Sequence, residues 1–265
     1  MAPEDGDRAA RRAPRGRAGG APRRRRPRLG RALALVVSAA LVFLALWAGG
    51  YALAMQGRVA ALPSLVRARL HHYGGGPFVP YDGLPPFLVD ALVATEDRSF
   101  WTNPGLSIEG IVRAALVDIE HGAFVQGAST LQQQVVRDMF LSPRKTLPRK
   151  LQGVVLALLM TRDFPRREIL ALYLNEVYLG NGAYGIDRAA ETYFGVAPGA
   201  LTPAQCALLA GLPQAPSIDD PFTDYEDAKA RQAIVLESMA AAGYITAARA
   251  TVLERAPLGL VPHRA

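Results

Sequence analysis

The chain has 265 residues, half of them apolar, enough for one substantial core with appendages. Its net charge of +7 is not spread evenly. Residues 1–31 hold 11 arginines against Glu4, Asp5 and Asp7, and the rest of the chain is close to neutral, which excludes a basic domain. The single cysteine, Cys206, excludes an internal disulfide and a cysteine metal site.

In chain order, the first element is the Arg/Ala/Gly/Pro tail of residues 1–31, of disordered composition. A basic tail suits nucleic acid, but this one abuts the uncharged run Ala32–Met55, and that position argues for a membrane and against nucleic acid. As a helix the run measures about 36 Å, enough to cross a hydrocarbon layer of about 30 Å. Trp47 and Tyr51 lie toward its far end, where amphipathic rings favour the interface. The arginines ahead of the span place the N-terminus in the cytoplasm. A cleaved signal peptide fits less well, because the run is too long and lacks a small-x-small exit.

Residues 56–83 read as a connector, with HHYGGGP (71–77) its most flexible part, and residues 84–250 as the domain, followed by a Pro- and Leu-containing tail at 251–265. Within the domain, Pro85 and Pro86 open a helix through Val93. Ser107 caps a second, with Ile108, Ile111, Val112, Ala115 and Leu116 at helical spacing. Ser129 begins a third, Gln132 completing a capping box. Further helices are expected from Pro148 to about Thr161, from Glu168 to Leu179, after Thr202-Pro203, and from Tyr225 to Ala242. Strand signals are weak, so the fold class is mainly α. Cys206, in LTPAQCALLAGL, reads as a small buried side chain.

Three polar groupings interrupt this pattern. Glu96-Asp97 follows the apolar stretch ALVAT; such a pair is either a solvated helix end or a partly desolvated carboxylate fit for general-base work. On a helix begun at Ser129, Thr130, Gln133 or Gln134, and Arg137 share a face. That face is either a capped polar surface or a seat for phosphate or sugar. Arg144-Lys145-Thr-Leu-Pro-Arg149-Lys150 packs four cations into seven residues, as a solvated loop or as a site for an anionic substrate or lipid surface. Ser142 to Lys145 also matches the S-x-x-K acylation motif, but no S-x-N or K-T-G follows, so that reading is set aside.

In order along the chain, ATEDRSF (94–100), GASTLQQQVVR (127–137), RK (149–150), EILALYLNEVYLGNGAYGI (168–186), AAETYFG (189–195) and LTPAQCALLAGLPQAPS (201–217) resemble the peptidoglycan glycosyltransferase family. Its members are the monofunctional transglycosylases and the glycosyltransferase domains of class A penicillin-binding proteins. The resemblance covers roughly residues 84–245, and the sequence stops where a transpeptidase domain would follow, as in the monofunctional type. It implies a lysozyme-like helical lobe with a smaller membrane-proximal jaw, behind one transmembrane helix. The connector and the residues near Phe124, Met139, Phe140 and Leu141 are the candidates for the jaw's embedded surface.

The implied reaction joins lipid II units into glycan strands, with inversion and release of undecaprenyl pyrophosphate. The resemblance makes Glu96 the general base and Asp97 its support. It makes Ser129, Thr130, Gln133, Gln134 and Arg137 substrate-binding, with Arg137 in place of the usual lysine. Arg149 and Lys150 take the pyrophosphate, and Asn175 of the fourth motif also binds substrate. It leaves room for Mg²⁺ or another divalent cation and implies no organic cofactor. The implied partners are lipid II, the growing strand, membrane lipid and other cell-wall synthases. The implied place is the bacterial cytoplasmic (inner) membrane, single-pass, with the catalytic domain on the outer, periplasmic side.

Three departures stand out: Asn103 where the family has His, Asp138 where it has Asn, and Gly153 where the third motif, R-K-x-x-E, carries a second glutamate. Position 153 lies one helical turn from Arg149 and Lys150, and glycine supplies no carboxylate there. Two readings follow: an active glycosyltransferase working with one carboxylate, or an impaired relative that binds lipid II or regulates partner synthases. A lysozyme-like hydrolase rests on fold analogy alone.

Overall fold

The structure is a computed structural model that describes residues 27–107, 110, 129–144 and 146–262. The tail before Pro27, the helix expected beyond Ser107, Phe124 and Lys145 lie outside the described residues. Helix α1 runs from Pro27 to Ala60. Its segment Gly30–Ala60, of mean hydropathy 2.4, is the single stretch among the described residues long and apolar enough to cross a bilayer. The chain divides into two compact units at Leu46 and Trp47, so the last turns of α1 belong with the domain. There Trp47 stacks on Tyr51, Tyr51 and Met55 pack against the core, Val59 is fully buried, and Arg58 lies over the Phe140 ring.

The expected connector is corrected by the structure. Residues 62–73 form helix α2 (Leu62–Tyr73), opened by a proline in its first turn and closed by Gly74 at positive φ. Leu62, Val66 and Leu70, spaced by four, are buried in the core, which is the apolar stripe of a packed helix. Nor is the glycine run after it a free hinge. A Cβ on Gly75 would sit 2.5 Å from both Leu70 Cδ2 and the Tyr184 carbonyl, so only glycine allows the chain to pass there.

Helix α3 (Pro86–Glu96) is buried on nearly every side, with Leu88, Val89 and Ala91 to Ala94 inside. A short helix apolar all round belongs at the centre of a fold, and α3 packs against α8 (Pro203–Gly211) and α9 (Tyr225–Ala241). Around this centre lie α4 (Leu131–Phe140), α5 (Leu147–Asp163), α6 (Arg166–Glu176) and α7 (Ile186–Phe194). No strand occurs among the described residues, only one bridge between Tyr178 and Tyr184. The fold is mainly α, as expected. Cys206 is fully buried, and burial pushes its thiol up to about 12, which leaves it unreactive.

The domain also runs past its expected end at residue 250. Residues 247–255 form α10 (Ala247–Arg255), Leu253 and Leu258 are buried, and Gln205 Nε2 donates to the Leu258 carbonyl at 2.8 Å. Met139, Phe140 and Leu141, expected at an embedded surface, are partly buried against the core. Leu147 and Leu151, one turn apart on α5, are exposed instead, at 71% and 36%.

What ties the connector to the domain is Asn175. Its Oδ1 accepts from the Val79 amide at 2.8 Å, and its Nδ2 donates to the carbonyls of Val79 and Ala171 at 2.7 Å each. Asn175→Ala strands the Val79 amide and carbonyl in the interior, at a cost of about 1–3 kcal/mol. The expected outcome is a lower thermal midpoint for the detergent-solubilised protein. An unchanged midpoint would show that the clasp does not hold the domain together.

Candidate active site

Glu96 is the last residue of α3 and Asp97 its C-cap. The Asp97 carboxylate is 4% exposed and surrounded by donors: Ser99 Oγ at 2.9 Å, Asn103 Nδ2 at 3.0 and 3.1 Å, and the Leu131 amide at 3.3 Å. Burial pushes its carboxyl up, and those hydrogen bonds pull against that shift. The last donor is the first residue of α4, where an anion also meets the helix dipole. Asp97 therefore docks the start of α4 beside the end of α3. Its support of Glu96 is positional.

Thr130, not Ser129, is the cap of α4, and Gln133, not Gln132, closes the capping box, which corrects the expected start by one residue. Thr130 Oγ1 accepts from the Gln133 amide and donates to the Gly105 carbonyl, and Gln133 Oε1 accepts from the Thr130 amide. Gly105 has φ +105° and passes so close to α5 that a Cβ would lie 2.7 Å from the Ala157 carbonyl. Asn103, where the resemblance implies histidine, is 5% exposed and joins the same network, its Oδ1 accepting from the Gly105 amide and from Gln132 Nε2.

Of the two glutamines expected on the polar face, Gln134 is the one that meets Glu96. Gln134 Nε2 donates to Glu96 Oε2 at 2.8 Å, and the Tyr173 hydroxyl of α6 approaches Gln134 Oε1 at 3.4 Å. From α9, Arg231 Nη2 lies 3.8 Å from Glu96 Oε1. Arg231 is itself fixed, its Nε donating to the Gly211 carbonyl at 2.9 Å and lying 3.9 Å from Asp219 Oδ2. The Glu96 side chain keeps 15% exposure, so it is held but still reached from outside.

The other expected site residues divide. Thr130, at 1% exposure, and Asn175, also at 1%, are consumed by internal hydrogen bonds, so neither is open to substrate. Gln133 is spent in the capping box, and Ser129 is exposed just ahead of the cap. Arg137 follows Gln134 by nearly one turn but is gripped by Asp138, with contacts of 2.6 and 2.9 Å. Arg149 and Lys150 lie in the first turn of α5, behind the Thr146 cap, and make no ion pair among the described residues. Arg149 Nε is buried without a hydrogen-bond partner. At Gly153 a Cβ would meet only Leu141 Cδ1, at 3.4 Å, an ordinary contact, so the helix has room for a side chain there.

Three residues near this site escaped the sequence reading: Tyr173, Glu176 and Arg231. Arg231 neighbours the buried face of α9 set by Ala228, Gln232 and Val235, and a charge beside such a face signals a partner. Glu176, inside the apolar run LYLNEVYLG, carries the same signal. It is 2% exposed, and neither of its oxygens accepts a hydrogen bond among the described residues. Arg69 Nη1 of α2 lies 3.5 Å from its Oε2. Burial first, and Asp138 second, push its carboxyl up to about 8, while Arg69 and Arg137 pull the other way.

Comparison with known proteins identifies the family. The transglycosylase family model matches residues 67–240. The chain belongs to the transglycosylase family of peptidoglycan glycosyltransferases. It is 44% identical over 169 residues to penicillin-binding protein 1A of Aquifex aeolicus, covering 64% of this chain and 23% of that one. With penicillin-binding protein 1A of Escherichia coli it shares 46% over 168 residues, 63% of this chain and 20% of the relative. A protein described as a transglycosylase in Cupriavidus necator is 43% identical over 169 residues, 64% of this chain and 73% of that one. The chain thus spans about a fifth to a quarter of the penicillin-binding proteins it matches, and the family match begins within α2 and ends within α9.

Glu176 gives the protein a pH signature. Its folded-state value of about 8 lies above the ordinary 4.5. Between those values the unfolded chain ionises while the folded one stays protonated, so stability falls as pH rises through that window. Glu176→Gln removes this slope. Unfolding midpoints of the two proteins should diverge toward alkaline pH, the variant becoming the more stable by roughly 3–5 kcal/mol at the upper end of the window. Parallel curves would mean that Glu176 is charged in the fold.

Proposed function

We propose that this glycosyltransferase polymerises lipid II, with Glu96 as general base. The observation that carries the reading is the setting of Glu96: a carboxylate at a helix end, oriented by Gln134 at 2.8 Å, flanked by Arg231 at 3.8 Å, and still partly exposed. Glu96 takes the proton of the acceptor's 4-hydroxyl as that oxygen bonds to the anomeric carbon of the growing strand. The bond from that carbon to the pyrophosphate breaks, its electron pair leaves with undecaprenyl pyrophosphate, and attack from the opposite face inverts the centre. Arg149 and Lys150 neutralise the departing charge, a role supported by their lack of ion-pair partners among the described residues. Arg137 joins them once its forked grip on Asp138 is exchanged for phosphate oxygens.

Among the described residues no three His, Cys, Asp or Glu side chains converge where a metal could be held. Mg²⁺ commonly binds through one or two carboxylates together with substrate phosphates, so the divalent cation the resemblance allows stays part of the proposed reaction beside the protein groups named above. The arginine-rich tail ahead of the apolar helix supports a cytoplasmic N-terminus, with the domain on the outer face of the bacterial cytoplasmic membrane beside its lipid-linked substrate and other cell-wall synthases.

Gly153 favours a second reading, a relative that binds lipid II or regulates synthases without turning it over. The two separate in one assay. Full-length protein in detergent is given labelled lipid II, with and without Mg²⁺, and polymer is resolved on gels. The expected outcome is polymer from the native chain and a loss of about 100-fold or more in Glu96→Gln. Gly153→Glu should fold, since its Cβ meets only Leu141 and leaving glycine favours the helix by up to about 1 kcal/mol. Polymer from Gly153→Glu alone would establish the binding reading.

A further inference from the structure

Behind Glu96 lies a second carboxylate that the proposed step does not use. Glu176 ends α6, nearly one turn beyond Tyr173. At 2% exposure it cannot touch substrate, so it does not stand in for the carboxylate missing at position 153. Its surroundings come from three helices. From α2, Arg69 faces it at 3.5 Å, donates to the Asp138 carbonyl at 2.8 Å, and lies over the Tyr73 and Tyr184 rings. From α4, Arg137 and Asp138 act on it through their charges. On its own helix is Tyr173, fully buried and influenced by both Glu96 and Glu176. Tyr173 approaches Gln134 Oε1 through its hydroxyl, and Gln134 Nε2 donates to Glu96.

Two bonded stretches meet here: Arg69 ties Glu176 to the α4 backbone at Asp138, one turn beyond Gln134, and Tyr173 reaches Glu96 through Gln134, with Glu176 and Tyr173 one turn apart on α6. The orientation of Gln134 is the middle link of the second. With Oε1 turned to the Tyr173 hydroxyl, the amide must present Nε2 to Glu96. A flipped amide would set its oxygen against the carboxylate. The Glu96 carboxylate, which only accepts, thus selects the amide orientation, and the Tyr173 hydroxyl steadies the amide from its other end, one turn from Glu176 on α6.

We infer that Glu176 is a positioning residue for the glycosyltransferase reaction: paired with Arg69, it maintains the Tyr173–Gln134 contact that orients Glu96, and a change in its charge is transmitted to Glu96. The inference rests on the proposed role of Glu96. While Glu176 is neutral, the interior around Tyr173 faces one nearby carboxylate charge fewer. When it ionises, a buried negative charge appears one turn from Tyr173 in a low-dielectric interior where charges act strongly. The Tyr173 hydroxyl is then drawn between two anions, and the contact with Gln134 weakens. The neutral form predominates below about 8, so the weakening belongs to alkaline pH.

The test uses the full-length native chain, Glu176→Gln and Tyr173→Phe in detergent. Infrared difference titration follows the Glu96 carboxylate, its band assigned by subtraction of Glu96→Gln. The native Glu96 band should shift as Glu176 loses its proton, and the shift should vanish in both Glu176→Gln and Tyr173→Phe. Turnover of lipid II is measured across the same range. A fall in kcat of about threefold or more from pH about 7 to about 9, with KM little changed, is expected for the native chain and not for Glu176→Gln. A Glu96 band indifferent to Glu176 overturns the inference, whether or not the chain makes polymer. So does an alkaline fall in kcat that persists unchanged in Glu176→Gln. Absence of polymer at every pH sinks the proposed function instead, and the infrared result still decides the coupling.

Discussion

The Asp97 carboxylate is the joint on which the candidate site hangs. A carboxylate withdrawn to 4% exposure is costly unless donors surround it. Here they come from the turn after α3, from Asn103 and from the first amide of α4. That requirement fixes two helices against each other. Glu96 precedes Asp97 in the chain, and Gln134 lies one turn into the helix that Asp97 docks. The 2.8 Å contact between Glu96 and Gln134 is a consequence of a neighbouring interaction that touches neither side chain. Thr130 and Gly105 tighten the same joint by tying the α4 cap to the loop that passes over α5.

The cations around this joint fall into two groups with different work. Arg69 and Arg231 are mostly buried, each facing a carboxylate and donating to a backbone carbonyl. Each thereby ties three helices together, so they hold shape. Arg149 and Lys150 have no carboxylate partner among the described residues, and on the proposed reading they meet the departing pyrophosphate. Arg137 sits between the groups. Asp138 grips it in a fork, and a phosphate must compete with that carboxylate. The Asp at 138 thus makes the cation at 137 harder to engage, while keeping its guanidinium oriented.

Much of this was legible in the sequence where the signal was local. Prolines at the starts of α3, α5 and α8 and the Thr202 cap marked helices correctly, because capping and proline geometry act within one turn. The Ser129-Thr130 pair was ambiguous for the same reason. Both residues cap well, each has a glutamine three residues on, and only the long-range bond from Thr130 to Gly105 separates them. The connector was misread because Gly and His dominate its end, whereas the buried stripe Leu62, Val66 and Leu70 lies earlier. Asn175 and Thr130 were expected to meet substrate, yet each satisfies backbone groups far away in sequence, a demand that no motif displays. Tyr173, Glu176 and Arg231 were missed for the opposite reason: their roles arise where α6 and α9 meet α2, α3 and α4, and although a charge at Glu176 or Arg231 beside apolar neighbours signals a partner, the sequence does not say which.

On the proposed reading, Gly153 changes how the leaving group must be handled. Helix α5 keeps its cap, its two cations and room for a side chain, and lacks only the carboxylate. Glu176 does not fill that gap, since it is sealed from substrate. With no acid at 153, the pyrophosphate departs as an anion and its stabilisation falls to the cations. The replacement of lysine by Arg137 fits that demand, because a guanidinium stays charged throughout the working range and meets two phosphate oxygens at once. A second acid supplies one proton at one point of the reaction. A fork of fixed charge acts throughout the departure, on the very bond that is lengthening. The two departures in the sequence, one apparently disabling and one apparently conservative, therefore belong to a single electrostatic arrangement.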